Sequence, residues 1–269
     1  MIALIVLLAA ATPAGPSVDA SKAFDDYVAG VEERVRREES SVASFVVEPD
    51  GSTAVREATV GRGEVVVDPG GSGTVEVPGG LIHHWRGSVF APGASVGEVL
   101  SVVQDYDHLA RYYSPEVMSS RRISRDGDDF RVAMRLREHR VVTVVMDTEY
   151  DVRYGRLDPE HQFSFSRSTR ITEIADAGEP HERTVADAEN HGYLWRLNAY
   201  WRFAQRGDGV VVQCEAVSLT RDVPAGLGWL VGPLIHGIPR ESLQATLGAT
   251  RDAVVERANS ERVTTAGHR

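Results

Sequence analysis

Six stretches of period-two alternation, near 116–125, 129–138, 141–154, 161–174, 191–206 and 209–221, constrain this chain more than any other feature. Successive side chains of a strand point to opposite faces, so such alternation marks strands of a sheet. Asp126-Gly127-Asp128 and Gly207-Asp208-Gly209 are tight turns, and tight turns join antiparallel neighbours. The acidic stretch 176–190 reads as a solvated loop. Upstream, Leu81–Phe90 reads as a first strand, broken by Ala91-Pro92-Gly93. Helical spacing follows through Val96, Val99, Leu100 and Val103, then a short helix over Asp105–Tyr112 that Ser114-Pro115 ends. Downstream, Pro239 suits the first position of a helix whose buried stripe is Leu243, Leu247, Thr250 and Val254. A strand, a helix pair, a run of antiparallel strands and a long terminal helix predict an α+β architecture. In it a curved sheet grips the C-terminal helix and leaves a cavity between them.

Ahead of this unit the chain changes character. Ile2–Ala14 is one apolar run, shorter than the roughly 18 residues a bilayer span needs. Small residues at Thr12 and Ala14 follow it, a signal-peptide pattern that predicts export to the periplasm or medium. Residues 15–80 read as an extension. Its helix, 19–43, carries the stripe Phe24, Val28, Val31 and Val35 with charges on the other face. Turn residues at Pro49-Asp50-Gly51 and Asp68-Pro69-Gly70-Gly71 bracket Glu64–Val67 and precede Thr74–Val77, which predicts a small hairpin. Pro78-Gly79-Gly80 marks a boundary, the main domain runs over 81–258, and 259–269 is a flexible tail.

The net charge of -10 excludes the basic footprint that nucleic acid binding needs. Arg121, Arg122 and Arg125 cluster, but Asp126, Asp128 and Asp129 cancel them. Cys214 is the only cysteine, so the chain has no internal disulfide; it sits in an apolar strand and reads as a small buried hydrophobe.

The stretch Val99–Val117, with Asp105-Tyr106 at the helix end and Tyr112-Tyr113-Ser114-Pro115 leading into the next strand, resembles the helix-pair region of START-like helix-grip (SRPBCC) proteins of the polyketide-cyclase and lipid-transport type. The element order over roughly 81–258 fits as well. The resemblance implies an apolar small-molecule ligand held in an internal cavity. It implies no cofactor and no shared catalytic set, because members of the superfamily carry lipids or process small substrates with different residues.

Individual motifs add less. Gly93-Ala94-Ser95-Val96-Gly97 matches a G-x-S-x-G nucleophile pattern, but Ser95 with Glu98 three residues on reads better as a capping box. His83 and His84 are adjacent on a strand, point to opposite faces and cannot readily chelate one metal; no metal site is expected. Asp147, Glu149 and Asp151 share one strand face, which reads as the solvated one, with Val144, Met146 and Tyr150 inward. On 191–206 one face carries Trp195, Leu197, Ala199, Trp201 and Phe203, the other Arg196, Asn198, Tyr200 and Arg202. Arg196 and Glu215 either orient a ligand head group or form a cross-strand salt bridge under the N-terminal extension. The apolar stretch 225–236 reads as a gate or transient membrane contact, or as a packed connector. Candidate ligand contacts are therefore Trp85, Tyr113, Arg196, Tyr200, Glu215, Trp229 and His236. Three functions follow: a carrier of a lipid-like molecule; a small-molecule enzyme of cyclase or hydrolase type using His84, His236 or Glu215; and an envelope interaction protein with a filled core that docks a partner through its first helix.

Overall fold

The computed structural model describes residues 15–46, 63–139, 143–222 and 228–266, and the side chains of 188, 228–236, 261 and 263–266 are outside that description. The expected leader lies outside the described residues, as does Pro49-Asp50-Gly51. Among the described residues no helix is long and apolar enough to cross a membrane.

The elements in chain order are α1 (Val18–Glu38), a 3-10 turn (Val42–Ser44), β1 (Val66–Val77), β2 (Gly80–Pro92), α2 (Val96–Val103) and α3 (Leu109–Tyr112). Then come β3 (Val117–Asp126), β4 (Asp129–His139), β5 (Thr143–Asp158), β6 (His161–Ala175), β7 (Arg183–Thr184), a second 3-10 turn (Asp187–Glu189), β8 (Arg196–Arg206), β9 (Gly209–Arg221) and α4 (Gly228–Ala266). One curved antiparallel sheet runs β1-β2-β9-β8-β6-β5-β4-β3, with β7 beside β6. This is a helix-grip α+β fold, read from the chain's own strand order and register.

Three expectations change. Glu64–Val67 and Thr74–Val77 do not pair with each other. Val66-Val67 and Thr74–Val77 fall along one strand, β1, whose register shifts between Pro69 and Thr74, and both halves pair with β2; Glu64 and Val65 precede it. The hairpin turn is Pro78-Gly79, so β1 extends the main sheet instead of standing before a boundary. The strand read over 191–206 begins only at Arg196. Before it, Glu173 accepts hydrogen bonds from the backbone of His191, Gly192 and Tyr193, and only Gly192 O and Trp195 N bond to the β9 backbone. The last helix begins at Gly228, ahead of Pro239.

The two faces of the sheet are covered differently. On the concave face α4 lies along β1, β2 and β9 beside α2 and α3. Its stripe Leu243, Leu247, Thr250 and Val254 is buried as expected. Gly87 sets the approach: a Cβ there would come within 2.4 Å of Leu247 Cδ1. Ser95 caps α2 in both halves of a capping box, its Oγ accepting from Glu98 N at 3.3 Å and its N donating to Glu98 Oε2 at 2.6 Å. That occupies the serine of the G-x-S-x-G pattern.

On the convex face lies α1. Ser17 Oγ accepts from Ala20 N at its start, and Arg36 and Arg37 sit in its last turn, where positive charge suits the helix dipole. Its stripe Phe24, Val28, Val31 and Val35 packs on Ile82, Tyr200, Val217 and Leu219. Burying each such side chain is worth about 1.5–3 kcal/mol, enough to seat a helix of this length.

Candidate functional site: the cavity under the C-terminal helix

Between the concave face and α4 is a cavity of about 640 Å³. Its cause lies in the sequence of the central strands. Reading the register across β2, β9, β8, β6 and β5 gives the row Trp85, Ala216, Ala199, Ser166, Val152. The row on one side reads Gly87, Cys214, Trp201, Ser164, Tyr154. Ser218 stands on the other side, beside Leu197. Small side chains thus floor the middle of the sheet. Large ones (Trp85, Trp201, Tyr150 and Tyr154) stand around them, and α4 bridges above with Leu243 and Thr246. Closely packed interiors leave no such volume by accident of shape; here the floor residues are too small to reach the helix.

The inner wall is mostly apolar, with several hydroxyls, one thiol and the buried His83 ring. Tyr113 donates to Thr250 Oγ1 at 3.0 Å, because the Thr250 hydroxyl itself donates to the Thr246 carbonyl. Burial, opposed by that bond, pushes the Tyr113 phenol up to about 12. Tyr106 and Tyr154 share a 2.7 Å hydrogen bond, and burial raises both. Burial likewise raises the Cys214 thiol. The Tyr150 phenol is pushed up to about 12 by burial against a smaller lowering from Thr148. These groups stay protonated at neutral pH and supply neither an ionised nucleophile nor a base. Glu116, His191 and Asp222 are exposed and line the same cavity, and Arg137, Glu138 and Arg221 line it half-buried.

Of the expected ligand contacts, Trp85 and Tyr113 line this cavity. Arg196, Tyr200 and Glu215 do not: the strand alternation turns them to the convex face, under α1. Arg196 does not pair with Glu215. It stands opposite Leu219 in the ladder, bonds Asp25 at 3.1 Å and lies over the Phe24 ring. The Tyr200 hydroxyl donates to Glu32 Oε1 at 3.2 Å, and Arg167 holds the same carboxylate. Glu215 is buried, bonded to His84 Nε2 at 2.5 Å, to Arg86 at 3.1 Å and to Arg34 of α1. Burial pushes its carboxyl up, but the His84 hydrogen bond and the Arg86 and Arg34 charges together hold it well below the usual carboxylate range. Tyr27 of α1 meets the other nitrogen of His84 at 2.8 Å. Buried Arg202 bonds Glu38, Glu39 and Gln213. These residues fasten a helix. Trp229 and His236 lie outside the residues whose side chains are described, and so does most of 225–236. Among the described residues no group of three or more His, Cys, Asp or Glu side chains could hold a metal ion.

Sequence reasoning missed the floor itself. Cys214, Ala216 and Ser218 on β9, Ser164 and Ser166 on β6, and Ala199 on β8 recur at the two-residue spacing of one strand face, and that run of small residues is the signal that marks it.

No family model matches the chain, and no curated protein matches it in sequence. Among solved structures it is similar to a protein from Thermus thermophilus (18% identity, covering 64% of this chain and 96% of that one, TM-score 0.44). It is also similar to a STAR-related lipid transfer protein from Xanthomonas axonopodis (15% identity, 72% and 98%, TM-score 0.42) and to an aromatase/cyclase from Streptomyces sp. R1128 (14% identity, 67% and 93%, TM-score 0.39).

Proposed function

We propose that this chain binds and carries an apolar, lipid-like small molecule in the cavity under α4. The observation that carries the reading is the cavity's construction: about 640 Å³ held open by a floor of small residues and walled by apolar and aromatic side chains. Ligand sites of this kind span about 300–1,000 Å³ and place a few polar groups in a mostly apolar lining. Carriage is set ahead of a cyclase or hydrolase activity because burial raises the phenols and thiol of the wall, and its buried histidine, His83, is engaged by Thr74 and Thr220. The apolar run Ile2–Ala14 supports a place of action outside the cytoplasm.

Titration with the fluorescent apolar probe anilinonaphthalene sulfonate tests the reading. The wild-type chain takes up the probe at one saturable site. Ala216→Leu, which raises the cavity floor, weakens uptake about tenfold or more. Equal uptake by both proteins would place the probe elsewhere and remove the cavity from the account.

A further inference from the structure

Besides the ionisable residues that line it, the cavity has serine hydroxyls, and their placement says what kind of molecule fits. Ser166 on β6 and Ser218 on β9 both line it. Neither hydroxyl makes a hydrogen bond among the described residues. Neighbouring hydroxyls on the same face are engaged: Ser168 Oγ accepts from Leu197 N at 2.9 Å, and Thr148 Oγ1 donates to the Met134 carbonyl at 3.0 Å. Ser218 is 6% exposed, so its free valence faces the inside of the protein.

These two hydroxyls stand on different strands, β6 and β9, with β8 between them. Neighbouring strands lie about 4.8 Å apart, so the groups are dispersed over the face and not gathered at one end. A single-headed lipid would place its one polar group at the mouth and lay hydrocarbon against the serine hydroxyls. Hydrocarbon displaces their water and returns no hydrogen bond, which costs affinity at each.

We propose that the molecule held in this cavity is multiply oxygenated: an apolar skeleton with hydrogen-bonding oxygens at more than one position, met by the Ser166 and Ser218 hydroxyls. This rests on the reading of the cavity as a binding site. It narrows the ligand from apolar molecules in general to those with dispersed carbonyl, ether or hydroxyl oxygens.

The test is competition against anilinonaphthalene sulfonate on the full chain with bibenzyl, deoxybenzoin and benzil, which share one carbon skeleton and carry none, one and two carbonyls. Lauric acid serves as the single-headed comparison. Affinity rises along the series, with benzil bound about tenfold more tightly than bibenzyl. Ser166→Ala and Ser218→Ala each weaken benzil several-fold and leave bibenzyl unchanged, which also shows that the variants are folded. Equal binding of bibenzyl and benzil, with both variants silent, would overturn the inference while leaving a binding cavity. Lauric acid bound more tightly than benzil would overturn it in favour of a single-headed lipid. If none of the four displaces the probe, the reading of the cavity falls, and this inference with it.

Discussion

The two faces of this sheet are made from the same strands and end in opposite states. On β8 and β9, Arg196, Asn198, Tyr200, Arg202, Gln213 and Glu215 face one way; Leu197, Ala199, Trp201, Cys214, Ala216 and Ser218 face the other. The charged face is the one that is filled. Helix α1 brings Asp25, Glu32, Arg34, Glu38 and Glu39 to it, and nearly every buried charge there has an opposite partner. The neutral face keeps a cavity because its middle residues are small. The lesson is that polar residues on a strand do not by themselves point to a ligand: here they answer a helix, and the cavity lies behind the small residues that alternate with them.

This contrast is open to direct attack. The largest expected effect is from Glu215→Ala. Removing that carboxylate leaves Arg34, Arg86 and His84 facing one another without it, and breaking a buried ion pair costs about 3–5 kcal/mol. A urea titration is expected to show that loss, while the fraction still folded takes up an apolar probe as the wild type does. Reduced uptake by folded Glu215→Ala would show that the two faces are coupled.

The second effect depends on pH, and two carboxylates on the convex face give it opposite signs. The folded-state value of Glu215 is depressed, so its contribution is fully present above the ordinary value of 4.5 and is lost as pH falls below it towards the folded value. Glu39 is the reverse. Burial, opposed by Arg202, raises it to about 7, so folding is penalised as pH rises from 4.5 to about 7. Glu39→Gln is therefore expected to be more stable than wild type at pH values above about 7, by roughly 1–3 kcal/mol, and to match it below about 4.5. Thermal melts across that range measure the difference. A variant destabilised above about pH 4.5 and matching wild type below it would mean that the Arg202 pairing outweighs burial.

The smallest effect belongs to Arg196→Ala. Its partner Asp25 is exposed and the pair sits at the margin of α1, so the cost is about 1 kcal/mol or less. Ligand affinity should not move. A change in affinity without a change in the melt would return Arg196 to the binding site.

Much of the architecture was legible because it rests on local periodicity. The alternation on the strands, the stripes Phe24–Val35 and Leu243–Val254, the capping box at Ser95 and the outward face Asp147, Glu149 and Asp151 are patterns within a few residues. Those three acids do face outward and pair with Arg135, Arg131 and Arg170. His83 and His84 part to opposite faces, one bonded to Thr74 and Thr220, the other to Tyr27 and Glu215. What could not be read locally was which face each strand gives to which neighbour. Arg34 meets Glu215 across 181 positions and Tyr27 meets His84 across 57, and nothing in either segment alone names the other. The β1 turn residues misled for a related reason. They form a bulge in a strand that folds over His84, where a Cβ on Gly70 would come within 2.2 Å of the ring.

The central claim is that the cavity on the neutral face holds an apolar molecule. Native mass spectrometry of the full chain and of Ala216→Leu, with organic extraction of whatever accompanies them, tests it most directly. The account predicts that the wild type carries, or takes up from an apolar library, a small molecule at one-to-one stoichiometry, and that Ala216→Leu does not. A wild-type protein that arrives empty and stays empty, or a variant that binds as well as it does, would contradict it.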